Sequence, residues 1–198
     1  MTQNHSEPRV VILGWSIANL LGVAAAYALS FIPPLIPFHS GMLVSSLIIG
    51  LPIGFAQWMI LRRVAPISFL WILTVPVALP TALAVLNSPI AGGIWEFLGG
   101  DESVLALTAG YLILGLLVGL IQWLFLRPHF ARSFVWMFSS AVGLGLGFGL
   151  ILASNLIYFS GVISFLLVVL VYAIATGSVI SWLRASNAKA GNLLVDVT

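Results

Sequence analysis

Few side chains in this sequence could act in acid–base chemistry or bind a metal ion. Three carboxylates, Glu96, Asp101 and Glu102, fall in one glycine-flanked stretch, and His39 lies in an earlier proline-bounded stretch. Such residues either form a cation site or serve as solvated loop charges. The chain has no Cys, and no nucleophile-elbow, metalloprotease or phosphate-loop motif occurs. We therefore expect no catalytic residues, no metal site and no enzymatic activity.

The elements that carry these residues are strongly apolar. Of the 198 residues, 61% are hydrophobic and only 6% are Lys, Arg, Asp or Glu, against about 25% charged in an ordinary soluble domain. So few charges cannot cover a water-exposed surface, and a net charge of +2 is too small to indicate nucleic-acid binding. The composition predicts an integral membrane protein that contacts lipid and no nucleic acid.

Six windows are long enough to cross a bilayer, whose core of about 30 Å needs roughly 20 apolar residues in a helix. The windows are 10–32, 41–61, 67–87, 104–126, 134–158 and 161–183. No charged residue falls well inside any of them, in keeping with a penalty of about 2.5–3.5 kcal/mol for a charge at the centre of an inserting helix. We predict an all-α, polytopic membrane helix bundle that forms a single transmembrane domain over residues 1–198.

The basic residues indicate the orientation of this bundle. With six crossings, all seven fall on one side of the membrane, whereas the acidic stretch at 96–102 falls on the other. They are Arg9, Arg62, Arg63, Arg127, Arg132, Arg184 and Lys189. Under the positive-inside rule, the N-terminus, the C-terminus and the tail 184–198 are cytoplasmic.

The sequence also contains an internal repeat. Residues 54–71 and 119–136 share eight identical positions, with G-x-x-Q-W-x-x-L-R followed by S-F-x-W in both. A weaker third copy ends at Trp182, where Ser181 replaces the glutamine. We predict three repeated hairpins, 10–61, 67–126 and 134–183, in a pseudo-threefold arrangement. Six of the seven tryptophans would then anchor at headgroup depth on the cytoplasmic side.

The repeated motif has a structural interpretation. Residues four apart share a helix face, so each motif tryptophan can stack under the following arginine, which can also snorkel to water. Each motif glutamine should hydrogen-bond a neighbouring helix or a ligand. The motif residues are Gln57, Trp58, Arg62, Gln122, Trp123, Arg127 and Trp182.

The repeated Q-W-x-x-L-R with its following S-F-x-W resembles a group of uncharacterised six-span bacterial membrane proteins of cyanobacterial type. The resemblance covers most of the chain but consists of short motifs. It implies a six-span fold in a bacterial inner or photosynthetic membrane, and it implies no catalytic residue.

Ligand-binding candidates are sparse. Asn19 and Asn155 lie at membrane depth and would either face a neutral ligand or bond between helices. His5, His39 and His129 all lie outside the spans, which disfavours haem or chlorophyll and leaves the cofactor unknown, with a carotenoid or a lipid compatible.

Two functions fit this pattern. The first is a non-catalytic accessory, assembly or structural subunit of a larger bacterial membrane complex, for which glycine-rich faces would provide contacts to other membrane subunits. The alternative is a small-molecule-binding component of a transporter. In size and span number the chain resembles the vitamin-binding subunits of energy-coupling-factor transporters, and its small-residue row Ala18, Gly22 and Ala26 resembles their docking stripe.

Overall fold

A computed structural model describes residues 8–30, 42–100, 103–153 and 161–195. This part of the chain is predominantly helical and contains no β-strand. Its seven α-helices are α1 (Pro8–Ser30), α2 (Met42–Leu61), α3 (Thr74–Leu86), α4 (Pro89–Phe97), α5 (Val104–Leu126), α6 (Val135–Ala153) and α7 (Gly161–Val195). The predicted all-α class is confirmed.

Five segments are long and apolar enough to cross a membrane. They are Pro8–Leu29, Phe69–Leu86, Val104–Leu126, Val135–Ala153 and Ile163–Asn187. Leu47–Leu61, within α2, is a shorter apolar helix. The chain is therefore a helical bundle compatible with a multi-pass membrane protein.

The third predicted span is built from two pieces. A 3₁₀ segment, Phe69–Leu73, begins where the Ser68 hydroxyl accepts a hydrogen bond from the backbone N–H of Leu70, and α3 continues from it. Pro80 lies inside α3, but Pro76 lies in its first turn. A proline there interrupts no hydrogen bond within the helix, so Pro76 need not kink α3.

One predicted boundary differs from the structure, and another falls beyond the part of the chain that it describes. Helix α6 is described as far as Ala153, and residues 154–158, the last of the predicted span 134–158, lie outside the described residues. Helix α7 continues to Val195, well past the predicted boundary at 183. The Nδ2 of Asn187 donates to the backbone carbonyl of His129 (2.7 Å), which joins this extension to the α5–α6 connection.

The long helices form a closed circle. Helix α1 packs on α2, α2 on α3, α3 on α5, α5 on α6 and α6 on α7, and α7 returns to α1. Glycines allow several of these approaches: a Cβ on Gly54 would collide with the backbone of Ile72, and one on Gly115 with the backbone of Ser140 and Ala141. Small residues at four-residue spacing thus position the helices around a common centre.

The core lies at the end of the bundle that carries Arg62, Arg127 and Arg132, called the arginine end below. Trp15, Trp71 and Trp136 are all fully buried there. Trp136 makes edge contacts with the other two, at ring-centroid distances of 5.6 Å and 6.2 Å. The expectation that six tryptophans anchor at headgroup depth is therefore wrong for these three, which pack on protein because the helices converge at this end.

Candidate functional site

A network of buried side-chain amides lies next to the tryptophan core, on the side toward the middle of the bundle. Gln57 on α2 is 1% exposed and Gln122 on α5 is fully buried. The Nε2 of Gln122 donates to the Oε1 of Gln57 (3.1 Å). The sequence predicted that these glutamines hydrogen-bond either a neighbouring helix or a ligand. In the structure they bond to each other across the centre of the bundle, which is the first of these alternatives.

Each glutamine also accepts a hydrogen bond from a buried tryptophan. The Nε1 of Trp71 donates to Gln57 Oε1 (3.3 Å), and the Nε1 of Trp136 donates to Gln122 Oε1 (2.9 Å). Both pairs are separated by 14 residues. A buried indole N–H requires an acceptor, so these contacts explain why each motif glutamine is followed by a tryptophan at this spacing. The 14-residue interval occurs in both copies of the repeat and is the sequence signal for these two pairs.

The network extends from Gln57 to α1. Asn19, 1% exposed, accepts from Gln57 Nε2 (2.8 Å) and donates from its Nδ2 to the backbone carbonyl of Trp15 (2.9 Å). The indole Nε1 of Trp15 donates to Thr176 Oγ1 (2.9 Å) on α7. Thr176 therefore accepts the third tryptophan bond, and the sequence alignment had assigned the glutamine-like position to Ser181. The difference of five residues follows from the register of α7 against α1.

Tyr172 completes the network from α7. Its hydroxyl donates to Gln122 Oε1 (3.3 Å), and its backbone carbonyl accepts from the Thr176 hydroxyl (2.7 Å). Neither Tyr172 nor Thr176 was selected from the sequence, because neither belongs to the repeated motif. The network links α1, α2, the 3₁₀ segment, α5, α6 and α7.

The other motif residues lie at the rim of the arginine end. The Arg62 guanidinium is 4.7 Å from the ring centroid of Trp58, and that of Arg127 is 5.6 Å from Trp123. Both contacts have the four-residue spacing that the sequence predicted for cation–π stacks. Trp182 is 40% exposed and receives a different partner, Arg132, at 6.0 Å.

A cavity of about 280 Å³ lies between the helices on the side of the network away from the tryptophan core. Its polar floor consists of Asn19, Gln57 and Tyr172, and all its other lining side chains are apolar or aromatic. The walls come from α1, α2, α3, α5, α6 and α7: Val23, Ile49, Ile53, Val75, Leu79, Tyr111, Leu114, Val118, Leu144, Phe148, Phe165, Val168 and Val169. An apolar pocket with a few convergent polar groups is the usual form of a small-molecule site.

The floor has unused hydrogen-bond donors. The oxygens of Gln57 and Gln122 each accept two hydrogen bonds within the network. The amide nitrogen of Asn19 donates one bond to described residues, while an amide NH₂ group carries two hydrogens. The floor can therefore donate to a neutral oxygen atom, such as that of a carbonyl, ether or alcohol.

The two predicted ligand-facing residues have different outcomes. Asn19 lines the cavity, whereas Asn155 lies outside the described residues. Of the other polar residues at membrane depth, Thr81 is exposed and bonds to its own helix at Val77 (2.8 Å). Thr74 is buried, and its hydroxyl has no hydrogen-bond partner within the described chain. Asn19 is thus the member of this set that faces the cavity.

The acidic stretch provides no assembled centre in the described chain. Glu96 is exposed on α4, and Asp101, Glu102 and His39 lie outside the described residues. No group of three or more His, Asp or Glu side chains that could hold a metal ion occurs within residues 8–30, 42–100, 103–153 and 161–195.

The central cavity and its amide floor are the candidate site. Comparison with protein-family models, curated proteins and solved structures finds no match for this chain.

Proposed function

We propose that this chain is a non-catalytic, multi-pass membrane protein that binds a small, mostly apolar molecule with one neutral oxygen-containing group in its central cavity. The observation that carries the proposal is the meeting of an apolar cavity with the amide floor of Asn19 and Gln57. Burying amide groups in an apolar environment costs free energy unless they form hydrogen bonds. The floor N–H groups that donate to no described residue therefore provide a site for a ligand oxygen.

The proposal includes six membrane crossings, arranged as three hairpins with pseudo-threefold symmetry. Helix α2 has 20 residues, which corresponds to roughly 30 Å and matches the hydrocarbon thickness of a bilayer. The hairpins follow one another around the closed circle of helices. Three buried tryptophans, one in each proposed hairpin repeat, each donate a hydrogen bond to an acceptor on a neighbouring helix. This repetition supports the threefold arrangement. We propose the arginine end as cytoplasmic, in a bacterial inner or photosynthetic membrane.

Ligand binding is preferred to a purely accessory or assembly role because the glycine faces are used within the chain. Gly145 and Gly149 of α6 approach Leu112 and Thr108 on α5. On the opposite side of α6, a Cβ on Gly143 would meet Tyr172 of α7. The two glycine faces that suggested external subunits therefore pack against α5 and α7.

The small-residue row on α1 is used in the same way. Ala18 and Ala26 are buried, and a Cβ on Gly22 would collide with the backbone of Ile53 on α2. This row is covered by the bundle itself. If the protein is a transporter component, as the ligand-binding proposal allows, we propose that it docks through another surface.

Photolabelling tests this proposal. The purified protein in lipid nanodiscs is incubated with octan-1-ol that carries a diazirine on its third carbon, then irradiated and digested for mass spectrometry. We expect label on the α7 peptide that contains Val168 and Tyr172, and competition by unlabelled octan-1-ol. The Asn19→Leu variant should bind about tenfold more weakly, because it loses one buried hydrogen bond to the alcohol.

Thr81→Val is the matched control, because it also replaces a polar side chain at membrane depth, but one that is exposed and bonded to its own helix. It should label like the native protein. Labelling of lipid-facing residues alone, or equal labelling of Asn19→Leu and Thr81→Val, would contradict a binding site at the amide floor.

A further inference from the structure

A second cavity of about 250 Å³ adjoins the first, between α3, α4 and α5. Its lining is Leu83, Leu86, Trp95, Ala106, Leu107, Gly110, Tyr111 and Leu114. Tyr111 and Leu114 line both cavities. The Tyr111 ring stacks on Phe148, with centroids 3.3 Å apart and planes 2° from parallel. One aromatic pair therefore lies between the central cavity and the second cavity.

The second cavity lies where the circle of helices is packed least closely. At the five other junctions a described glycine comes so near its neighbour that a Cβ would lie within about 3 Å of it. The contacts are Gly22 with Ile53, Gly50 with Pro76, Gly115 with Ala141, Gly143 with Tyr172 and Gly177 with Trp15. No described glycine makes such a contact between α3 and α5. The larger side chains that line the cavity between these helices, such as Leu83, Leu107 and Tyr111, can change rotamer without movement of the backbone.

Helix α4 covers this junction at the end opposite the arginines. The Nε1 of Trp95 donates to the backbone carbonyl of Leu86 (3.2 Å), and a Cβ on Gly110 would lie 3.7 Å from the Trp95 ring. The other face of α4 is exposed and apolar, with Ile90 80% and Phe97 88% exposed. An exposed apolar face on a short helix at the end of the bundle can rest on the membrane interface.

Helix α4 is capped at both ends. At its start the Ser88 hydroxyl accepts a hydrogen bond from the backbone N–H of Ala91. At its end Gly99 and Gly100 have φ angles of +98° and +88°, a region that suits glycine and few other residues, and the backbone N–H of Gly100 donates to the carbonyl of Trp95 (2.8 Å). The cover is therefore held at both ends, and movement beneath it falls to the lining side chains.

From these features we infer that the α3–α5 junction is a lateral entrance, through which a membrane-dissolved ligand passes beneath α4 and past Tyr111 into the central cavity. The inference rests on the proposed function. It also specifies the ligand class: a linear, uncharged amphiphile taken from the bilayer, with an alcohol or carbonyl head and an apolar chain. The head reaches Asn19 and Gln57, and the chain points back toward the entrance.

The length of the path is consistent with such a ligand. Gln122 and Tyr111 are 11 residues apart on α5, which corresponds to roughly 16 Å along the helix. An extended chain is suited to this path because the walls are mostly apolar along it, with the Tyr111 hydroxyl at the passage and the amides at the floor as polar groups. A charged headgroup is excluded, since no lining residue of either cavity carries a charge.

The test compares the rate and the final extent of labelling. Proteoliposomes are mixed rapidly with the diazirine-bearing octan-1-ol and irradiated by a flash after increasing delays. Gly110→Phe fills the second cavity but adds no atom to the lining of the first, so we expect labelling of the α7 peptide about tenfold more slowly, with an unchanged final extent. Gly93→Phe, on α4 with open space around it, is the matched control and should label at the native rate.

A second variant acts in the opposite direction. Trp95→Ala removes the covering indole and its bond to Leu86, and should label faster than the native protein. If Gly110→Phe fails to fold by circular dichroism, a native rate for Trp95→Ala still overturns the entrance. Equal rates for Gly110→Phe and Gly93→Phe, with the α7 peptide labelled in both, would refute the entrance and leave the binding site intact. Absence of that label from the native protein would refute the binding site itself.

Discussion

Replacing Gln122 by leucine tests whether the amide network holds the helices together. Gln122 donates one hydrogen bond to Gln57 and accepts one each from Trp136 and Tyr172. Leucine has a similar volume, so the change removes the hydrogen bonds without opening a large cavity. Two buried donors, the Trp136 indole and the Tyr172 hydroxyl, lose their acceptor.

The expected magnitude follows from the number of bonds. Interhelical hydrogen bonds in membrane proteins contribute on average about 0.6 kcal/mol each, with a maximum of about 1.7 kcal/mol. Three such bonds, two of which leave a buried donor behind, predict a loss of about 2–3 kcal/mol in the free energy of unfolding of Gln122→Leu. Gln57→Leu should lose a similar amount, because Gln57 also takes part in three side-chain bonds.

The assay is reversible unfolding in mixed micelles with increasing sodium dodecyl sulfate, followed by far-ultraviolet circular dichroism. A double-mutant cycle with Trp136→Phe isolates one bond and should give a coupling energy of about 0.6–1.7 kcal/mol. Ser178→Ala is the control, since the exposed Ser178 hydroxyl bonds to its own helix. A loss below about 0.5 kcal/mol for Gln122→Leu, together with zero coupling, would show that the amides are not bonded as described.

Two further predictions concern packing and topology. Gly54→Ala places a Cβ against the backbone carbonyl of Ile72 and should lower the free energy of unfolding by about 1–3 kcal/mol. The control Gly93→Ala places its Cβ in open space and should change the free energy of unfolding by less than about 0.5 kcal/mol. Equal values for the two variants would contradict close helix contact at Gly54. Because the chain has no Cys, Glu96→Cys and Arg63→Cys each introduce a unique thiol. A membrane-impermeant maleimide should label Glu96→Cys in intact cells. The same reagent should label Arg63→Cys only after the cells are permeabilised. Labelling of Arg63→Cys in intact cells would overturn the proposed orientation.

The sequence by itself determined the class of the molecule. Hydrophobicity and helix length are properties of a local segment, so composition alone predicts apolar helices. The four-residue spacing predicts the stacks of Arg62 on Trp58 and Arg127 on Trp123 for the same reason, because both partners of each stack lie on one helix.

The tertiary structure decided what those helices enclose. Which face of a helix meets the centre depends on its rotation and register against partners far away in the sequence, and the apolar pattern is too uniform to fix either. Thus Trp15, Trp71 and Trp136 are buried donors although they resemble interfacial anchors, and Thr176 takes the position that alignment gave to Ser181. The cavity has the same origin, because it exists only where six helices converge without filling the space between them.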